Sequence, residues 1–389
     1  DSVKEKAMTK LKEIKSKTDD SGSKARLYLD GLLKIPFGIY KSEPILNYTG
    51  NIKDYFKDLS VLINDQSIIN SNDIASNNYT STQIKNICNN IYKNYNNNNN
   101  ETILKEIKKQ YVIDKRNDLI INICTINNII KKLNLKIHKL THSGKKIEFM
   151  KNEITNFIEK NKDNDEVIKL LSQFKNIINY KNSQNILMNL DKINKTWNTI
   201  NNYMNNIDET LDNAVHGHDK AKLQIKRIIA QWINGEQSGY CLGFEGPPGV
   251  GKTSFAKKGL ANCLIDDDNN PRPFSFIAIG GQDNGSSLNG HNYTYVGSEW
   301  GKFVDILIKN KCMNPIIFID ELDKVSRTEN GREIIGILTH LIDPTQNDCF
   351  QDKYFNGIDL DLSKALFIFS YNDVSAIDRI LLDRIHRIQ

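Results

Sequence analysis

No apolar run in the 389 residues approaches the roughly 18 needed to cross a bilayer, so a chain held in a membrane by helices is excluded. Six cysteines stand at positions 88, 124, 241, 263, 312 and 349, and none forms a CxxC pair. Neither a disulfide framework nor a zinc site is expected from that spacing, and buried free thiols in a reducing compartment fit it better. The N-terminal Asp1-Ser2-Val3-Lys4-Glu5 lacks the apolar segment of a secretory signal. An initiator Met is also missing, so the sequence reads as a piece of a longer frame. Charged residues are 25% and hydrophobic residues 39% of the chain, which excludes a wholly disordered or fibrous protein. The length exceeds one ordinary domain and points to two or three.

Asparagine is abundant, at about 50 of the 389 residues, roughly three times ordinary usage. Lys greatly outnumbers Arg and Ile is frequent, a pattern that AT-rich codons produce before any chemistry is invoked. Charge is uneven: residues 1–200 carry a net +11 and residues 201–389 a net −6, giving the overall +5. A basic half can mark a polyanion partner. Here the lysines are dispersed among Asn and Ile, so a solvated helical surface is the better reading and nucleic acid is not favoured.

Apolar residues at helical spacing, Ala7, Leu11 and Ile14, predict a first helix over residues 3–18. A second is expected from Lys24 to about Lys34, stopping at Ile35-Pro36. Residues 44–100 carry turn signals at Pro44, Asn47 and Gly50, and the Asn-rich run near 94–100 reads as a disordered loop. From Glu101 to about Asp212 the pattern is helical, with Ile123, Ile126, Ile130, Leu133 and Ile137 recurring every three to four residues. Helical hairpins or a coiled-coil-like arm fit this stretch. The chain thus divides into 1–43, 44–207 and 208–389.

Beyond about Thr210, short β-like runs alternate with helical ones: Tyr240–Glu245, Phe274–Ile279, Pro315–Ile319 and Ala365–Ser370. Such alternation predicts an α/β unit, a parallel sheet flanked by helices, preceded by a mostly α-helical region. Its first strand leads into Gly246-Pro247-Pro248-Gly249-Val250-Gly251-Lys252-Thr253, which matches the phosphate-binding loop GxxxxGK[ST]. Glycines let the backbone N–H groups wrap a triphosphate, and the following helix adds its dipole. Lys252 is expected on the β- and γ-phosphates and Thr253 on Mg²⁺.

A second signal is the buried strand Pro315–Ile319 followed by Asp320 and Glu321, which delivers two carboxylates where ligands of open α/β sheets bind. Asp320 is expected to hold Mg²⁺ and Glu321 to polarise the attacking water as general base. Phe367–Tyr371 ends in Asn372, which could reach the γ-phosphate or the water; taken alone, Asn commonly ends strands. Arg384, closing Leu381-Leu382-Asp383-Arg384, could act across a subunit boundary, although an Arg at a helix end is ordinarily a surface residue.

In this order the motifs resemble an AAA+ ATPase, and within that class the ATPase module of the Lon family of ATP-dependent proteases. Gly246 to Ser254 is similar to the Lon phosphate loop. Gly290-His291-Asn292-Tyr293-Thr294-Tyr295-Val296-Gly297 resembles its pore-loop region. Asp343-Pro344-Thr345-Gln346-Asn347, then Phe350, Asp352 and Tyr354, then Asp361-Leu362-Ser363, follow a Lon pattern that general AAA+ proteins lack. Tyr28 to Phe37 resembles the helix that precedes the module. The likeness covers about 24–38 and 208–388; residues between them read as a helical insertion.

The resemblance implies ATP and Mg²⁺ as cofactors, a homo-hexameric ring, and unfolded polypeptides as substrates gripped by Tyr295 and Val296. It implies Glu321, Asn372 and Arg384 as catalytic groups. The free thiols and the lack of a signal or spanning run lead us to expect a cytoplasmic location with no membrane. Where Lon proteins carry a Tyr near the module's start, this chain has Val215-His216-Gly217, so His216 is expected against the adenine. Asn292-Tyr293 stands where Lon proteins usually have basic residues. The α-helical lid and the Ser–Lys protease domain are not in the sequence, so nucleotide contacts are expected to be partial and no residue is assigned to peptide hydrolysis. Alternatives at this point are a non-proteolytic remodelling ATPase, a DNA-associated AAA+ protein and an inactive scaffold, and the intact site residues count against the last.

Overall fold

The computed structural model describes residues 2–16, 20–63, 79–235, 241–281 and 284–388. Two compact units are present: residues 1–48 with 200–389, and residues 49–199. In chain order the helices are α1 (Ser2–Ser16), α2 (Asp20–Lys34), α3 (Tyr48–Leu62), α4 (Ser81–Tyr111), α5 (Arg116–Lys132), α6 (Ile147–Lys160), α7 (Asp165–Phe174), α8 (Ile178–Ala214) and α9 (Asp219–Ile233).

The described residues of 49–199 are mostly helical and have their own core. Ile123, Ile126 and Ile130 lie on one face of α5 and are buried against Ile107 and Tyr111 of α4, Ile154 and Phe157 of α6, and Leu171 of α7. A compact body thus replaces the arm that periodicity suggests. The apolar series also outruns its helix, since α5 ends at Lys132 and Ile137 is exposed.

A second correction concerns the Asn-rich run. Residues 94–100 lie inside α4, which runs unbroken from Ser81 to Tyr111. Thr80 caps the helix in a capping box with Gln83. Ile84, Cys88 and Ile91 are buried on one side of the run and Ile103 and Ile107 on the other. With both ends fixed, each added residue contributes a hydrogen bond without a new nucleus. Asn costs at most about 0.7 kcal/mol per residue against Ala, which that cooperativity offsets.

The larger unit is built on a parallel sheet of β1 (Cys241–Glu245), β2 (Phe274–Ala278), β3 (Ile316–Asp320), β6 (Leu366–Tyr371) and β7 (His386–Ile388), in the order β2-β3-β6-β1-β7. A separate antiparallel pair is formed by β4 (Phe350–Gln351) and β5 (Asp359–Leu360). Strand β3 is buried up to Ile319 and β6 is buried throughout, as expected of central parallel strands with both faces covered. Tyr240, expected to open β1, lies outside the described residues.

Packed with the sheet are α10 (Lys302–Asn310) and α11 (Glu329–Ile342), whose Phe303, Val304, Leu307, Ile334, Leu338 and Leu341 join one core with Ile317, Ile319 and Phe369. Tyr28, Leu32 and Ile35 of the N-terminal segment belong to that same core. The chain after α2 is lashed down further. Lys41 exchanges two 2.7 Å hydrogen bonds with the side-chain amide of buried Asn314, and Arg272 holds Glu43 in a bidentate pair at 2.6 and 2.7 Å. Glu43 is buried and the Arg272 side chain is 10% exposed, so removing Arg272 would strand a buried carboxylate, at a cost of about 3–5 kcal/mol.

All six cysteines are unbonded. Cys88, Cys241, Cys263 and Cys312 are buried as expected, but Cys124 and Cys349 are exposed.

Asp352, between β4 and β5, is wholly buried and takes the Gly301 and Tyr354 N–H groups at 2.8 Å each. Burial pushes its carboxyl up to about 6, against the opposing pull of those N–H donors. An unfolded Asp titrates near 3.9, so the native state favours the protonated form. The stability this contributes is full below about pH 4 and is lost as pH rises through about 6; a shift of that size is worth about 3 kcal/mol. Asp352→Asn cannot titrate. The urea-midpoint advantage of the wild type over this variant should therefore shrink between pH 4 and pH 7, and a gap that stays constant would contradict the burial argument.

Candidate active site at the phosphate loop

The C-terminal ends of β1, β3 and β6 lie at one edge of the sheet, in register through Glu245↔Tyr371 and Ile319↔Phe369. That register brings together residues separated by more than a hundred positions. Gly246, Gly249 and Gly251 follow β1 with φ of 158°, 82° and 90°. The last two are left-handed values that L side chains rarely adopt, so glycine frees the backbone to curl there. The helix beyond opens as Lys252–Ser254, passes through a π segment, Phe255–Leu260, and closes at Ala261–Cys263.

Lys252 is the hub. Its ammonium donates to the Gly246 carbonyl at 2.6 Å, the Pro247 carbonyl at 3.2 Å and Asn372 Oδ1 at 2.6 Å. Desolvation lowers its pKa, while Asp320 and Asp323 pull the other way. Thr253 stands next in the same helical turn, and Asp320 closes β3 on the same edge.

Glu321 adopts a left-handed φ of 61°, a costly conformation for a residue with a side chain. The Glu321 N–H donates to Asp320 Oδ1 at 3.0 Å, and its carboxylate pairs with Lys324. A Cβ placed on Gly280 would lie 2.3 Å from Glu321 Oε2. Gly280 is therefore the clearance that seats the Glu321 carboxylate, a role sequence reasoning missed. Its visible signal is the Gly280-Gly281 pair just beyond β2, the strand beside β3.

Asp323 was missed as well. Its Oδ2 accepts the N–H groups of both Asn372 and Asp373 at 3.2 Å, tying the chain after β3 to the end of β6. Oδ1 of the same carboxylate is buried with no hydrogen-bond partner. The signal was the third acid of Asp320-Glu321-Leu322-Asp323, hidden by the two before it.

A cavity of about 450 Å³ adjoins the loop, lined by Val215, His218, Ala221, Phe244, Gly246, Val250, Lys252, Phe255 and Ile388, among others. Its apolar wall beside a loop of N–H donors suits a flat aromatic base carrying phosphates. His216, expected on the base, is exposed and does not line it; Val215 and His218 flank it instead. The cause is local. Gly217 and His218 take φ of 73° and 59°, which turns the chain before α9 and leaves His216 outside.

Arg384 is not brought to the phosphate loop of its own chain. It donates to Asp343 Oδ2 at 3.3 and 3.1 Å and to the Ile380 carbonyl at 3.0 Å. It lines a different cleft of about 820 Å³ together with Arg327, Arg332 and Arg379. Tyr295 and Val296 also stand apart, at 63% and 101% exposure, so neither is core packing.

Residues 242–389 match the family model described as "ATPase family associated with various cellular activities (AAA)". The chain is 40% identical over 190 residues to a Lon protease homolog of Acanthamoeba polyphaga mimivirus, a match covering 48% of this chain and 18% of that protein. It is 41% identical over 163 residues to the Lon protease of Campylobacter concisus, covering 42% and 19%. With a peroxisomal Lon protease homolog 2 of Caenorhabditis briggsae the identity is 30% over 269 residues, 68% of this chain and 33% of that protein. The chain thus spans between about a fifth and a third of the length of these relatives. The glycine-bent loop, the carboxylates beyond β3 and the Asn beyond β6 lie in the stretch that matches the AAA ATPase family, residues 242–389, and over that stretch the chain is similar to Lon proteases.

Proposed function

We propose that this chain binds ATP with Mg²⁺ at the edge of β1, β3 and β6, hydrolyses it, and uses the resulting motion to pull unfolded polypeptide past Tyr295 and Val296. The observation that carries the reading is the position of the Lys252 ammonium, held between the Gly246 carbonyl and Asn372 Oδ1. One cation there couples the loop after β1 to the end of β6.

The roles follow from the chemistry of each group. Gly246 to Ser254 would wrap the phosphates through backbone N–H groups, with Lys252 exchanging its carbonyl acceptors for β- and γ-phosphate oxygens. Thr253 and Asp320 would hold Mg²⁺, which neutralises charge developing on the phosphates; such ions ordinarily take one or two protein ligands plus phosphate and water. Glu321 would accept the proton of the attacking water once its carboxylate leaves Lys324. Asn372, fixed by Asp323, would orient that water or the γ-phosphate. Val215, Phe255 and Ile388 would enclose the base.

Arg384 faces a cleft separate from the nucleotide cavity, which supports action on a neighbour's nucleotide in a ring of copies, a homo-hexamer by resemblance. Unfolded protein is the proposed substrate, since an exposed aromatic beside a β-branched residue grips by bulk rather than by sequence. For the whole protein the proposal extends to ATP-dependent proteolysis, the activity its relatives' names carry; no residue of this chain is assigned to cutting the peptide bond. No helix among the described residues is long and apolar enough to cross a membrane. Four buried, unbonded thiols support a reducing, cytoplasmic setting.

Three substitutions test the site. Lys252→Ala should weaken binding of a fluorescent ATP analogue about 100-fold or more, the scale of a lost charge-assisted phosphate contact; retained affinity would remove the loop from the mechanism. Glu321→Gln should keep nucleotide affinity within about twofold while turnover falls about 100-fold or more, as for loss of a general base. Unchanged phosphate release would end the role given to Glu321. Asp323→Asn keeps the shape but puts an N–H₂ where two N–H groups now find one charged acceptor. It should lower kcat about tenfold and leave nucleotide affinity within about threefold, and a fall in affinity alone would mean that Asp323 serves binding rather than the geometry of Asn372.

A further inference from the structure

The segment 290–301 carries Tyr295 and Val296, and its ends are closed by rigid contacts. Gly301 N–H reaches buried Asp352, and the His291 N–H donates to the Glu299 carbonyl at 3.0 Å. Between those ends the segment is held from outside, by α1 and α2. The Tyr293 ring lies edge-on to Tyr28 of α2 at 5.0 Å and to Tyr354 at 5.5 Å. Lys10 of α1 and Lys24 of α2 place their ammonium groups 4.3 and 4.9 Å from the Tyr293 centroid. Lys24 Nζ also donates to the Tyr295 carbonyl at 2.7 Å. Helix α2 is seated closely: a Cβ on Gly31 would lie 2.7 Å from the Trp300 ring. Meanwhile the Tyr295 N–H turns back onto the Asn292 carbonyl at 3.0 Å, leaving the Tyr295 and Val296 side chains in solvent.

Alternate residues of one short segment therefore have opposite fates. Tyr293 is drawn inward by two aromatic neighbours and two cations, while Tyr295 and Val296 are pushed outward. We infer that the α1–α2 hairpin is a buttress for the gripping loop, in which Tyr293 and Lys24 are positioning residues that hold Tyr295 and Val296 in the presented conformation. The physical basis is entropic. A six- to eight-residue loop free to collapse would bury its own apolar side chains or sample many states, and either outcome lowers the fraction able to bind. Anchoring Tyr293 and the Tyr295 carbonyl fixes the backbone just before the gripping pair and within it. The inference rests on the proposed role of Tyr295 and Val296 as the polypeptide grip, and it adds that the N-terminal helices set how that grip stands.

The test uses the full chain and two readouts: amide hydrogen exchange across residues 291–298, and anisotropy of fluorescein-labelled casein as an unfolded polypeptide, with a non-hydrolysable ATP analogue present. Tyr293→Ala should speed exchange at His291 and Tyr295 about tenfold and weaken casein binding about tenfold, with affinity for the analogue unchanged. Tyr293→Phe, which keeps the ring, should restore both. Lys24→Met should reproduce part of the exchange effect and Lys24→Arg should reverse it. Wild-type exchange and casein binding in Tyr293→Ala would overturn the buttress. So would faster exchange with undiminished casein binding, provided the Tyr295→Ala, Val296→Ala double variant does lose binding. If that double variant binds casein normally while Tyr293→Ala still exchanges faster, the gripping role fails and the buttress stands as a structural device.

Discussion

Burial of β3 and β6 on both faces sets the rest of the site. A strand covered on both sides has no freedom to slide, because a one-residue slip would exchange its entire set of side chains. Ile316–Ile319 and Leu366–Tyr371 are such strands, and their parallel pairing brings Asp320 and Asn372 to one edge. The loop after β1 arrives there because β1 pairs with β6 in the same direction. The chemistry is thus placed by apolar residues that touch none of it, and the polar groups need only local adjustment to converge.

Carboxylates that bond to backbone make those adjustments. Asp323 ties the end of β6 to the chain after β3, and Asp352 ties Gly301 to the β4–β5 turn. Each converts a strand or loop end, which would otherwise fray, into a fixed point. Charge-assisted bonds of this kind are roughly twice as strong as neutral ones. They also explain why acids are abundant near a site meant for an anion: most of them already face backbone donors. Burial opposes ionisation of Asp352 while its N–H donors favour it, whereas Asp323 sits among the cations Lys252 and Lys324.

Much of this was legible in the sequence where side-chain type alone decides the outcome. GxxxxGK[ST] demands left-handed glycines, and they are found; an apolar run ending in two acids demands a buried strand, and β3 is one. Legibility failed where tertiary context overrides local preference. The Asn run reads as loop by composition, yet the buried residues on either side carry a helix through it. His216 reads as a base-stacking residue through the family resemblance, yet the left-handed pair Gly217-His218 turns it outward and admits Val215 and His218. Gly280 and Asp323 were invisible because their importance is relational: each matters through one partner, Glu321 or Asn372, that only the folded sheet supplies.

Electrostatics gives the site its direction. Around Lys252 stand Asp320 and Asp323, with Glu321 one residue from Asp320, so the edge of the sheet carries more negative than positive charge before any ligand arrives. A bare triphosphate would therefore meet repulsion, and the proposed Mg²⁺ complex of the nucleotide would meet less of it. Lys252 already rests among oxygen acceptors at hydrogen-bonding distance, so exchanging carbonyls for phosphates needs little reorganisation. Its bond to Asn372 is different in kind, because that bond joins the phosphate loop to the far strand. On the proposed function, phosphate drawing the ammonium away would leave Asn372 without a partner on the very strand end that Asp323 holds in place. The side-chain amide would then be free to turn toward the γ-phosphate while its backbone stays fixed, which would let arrival of nucleotide at β1 be sensed at β6.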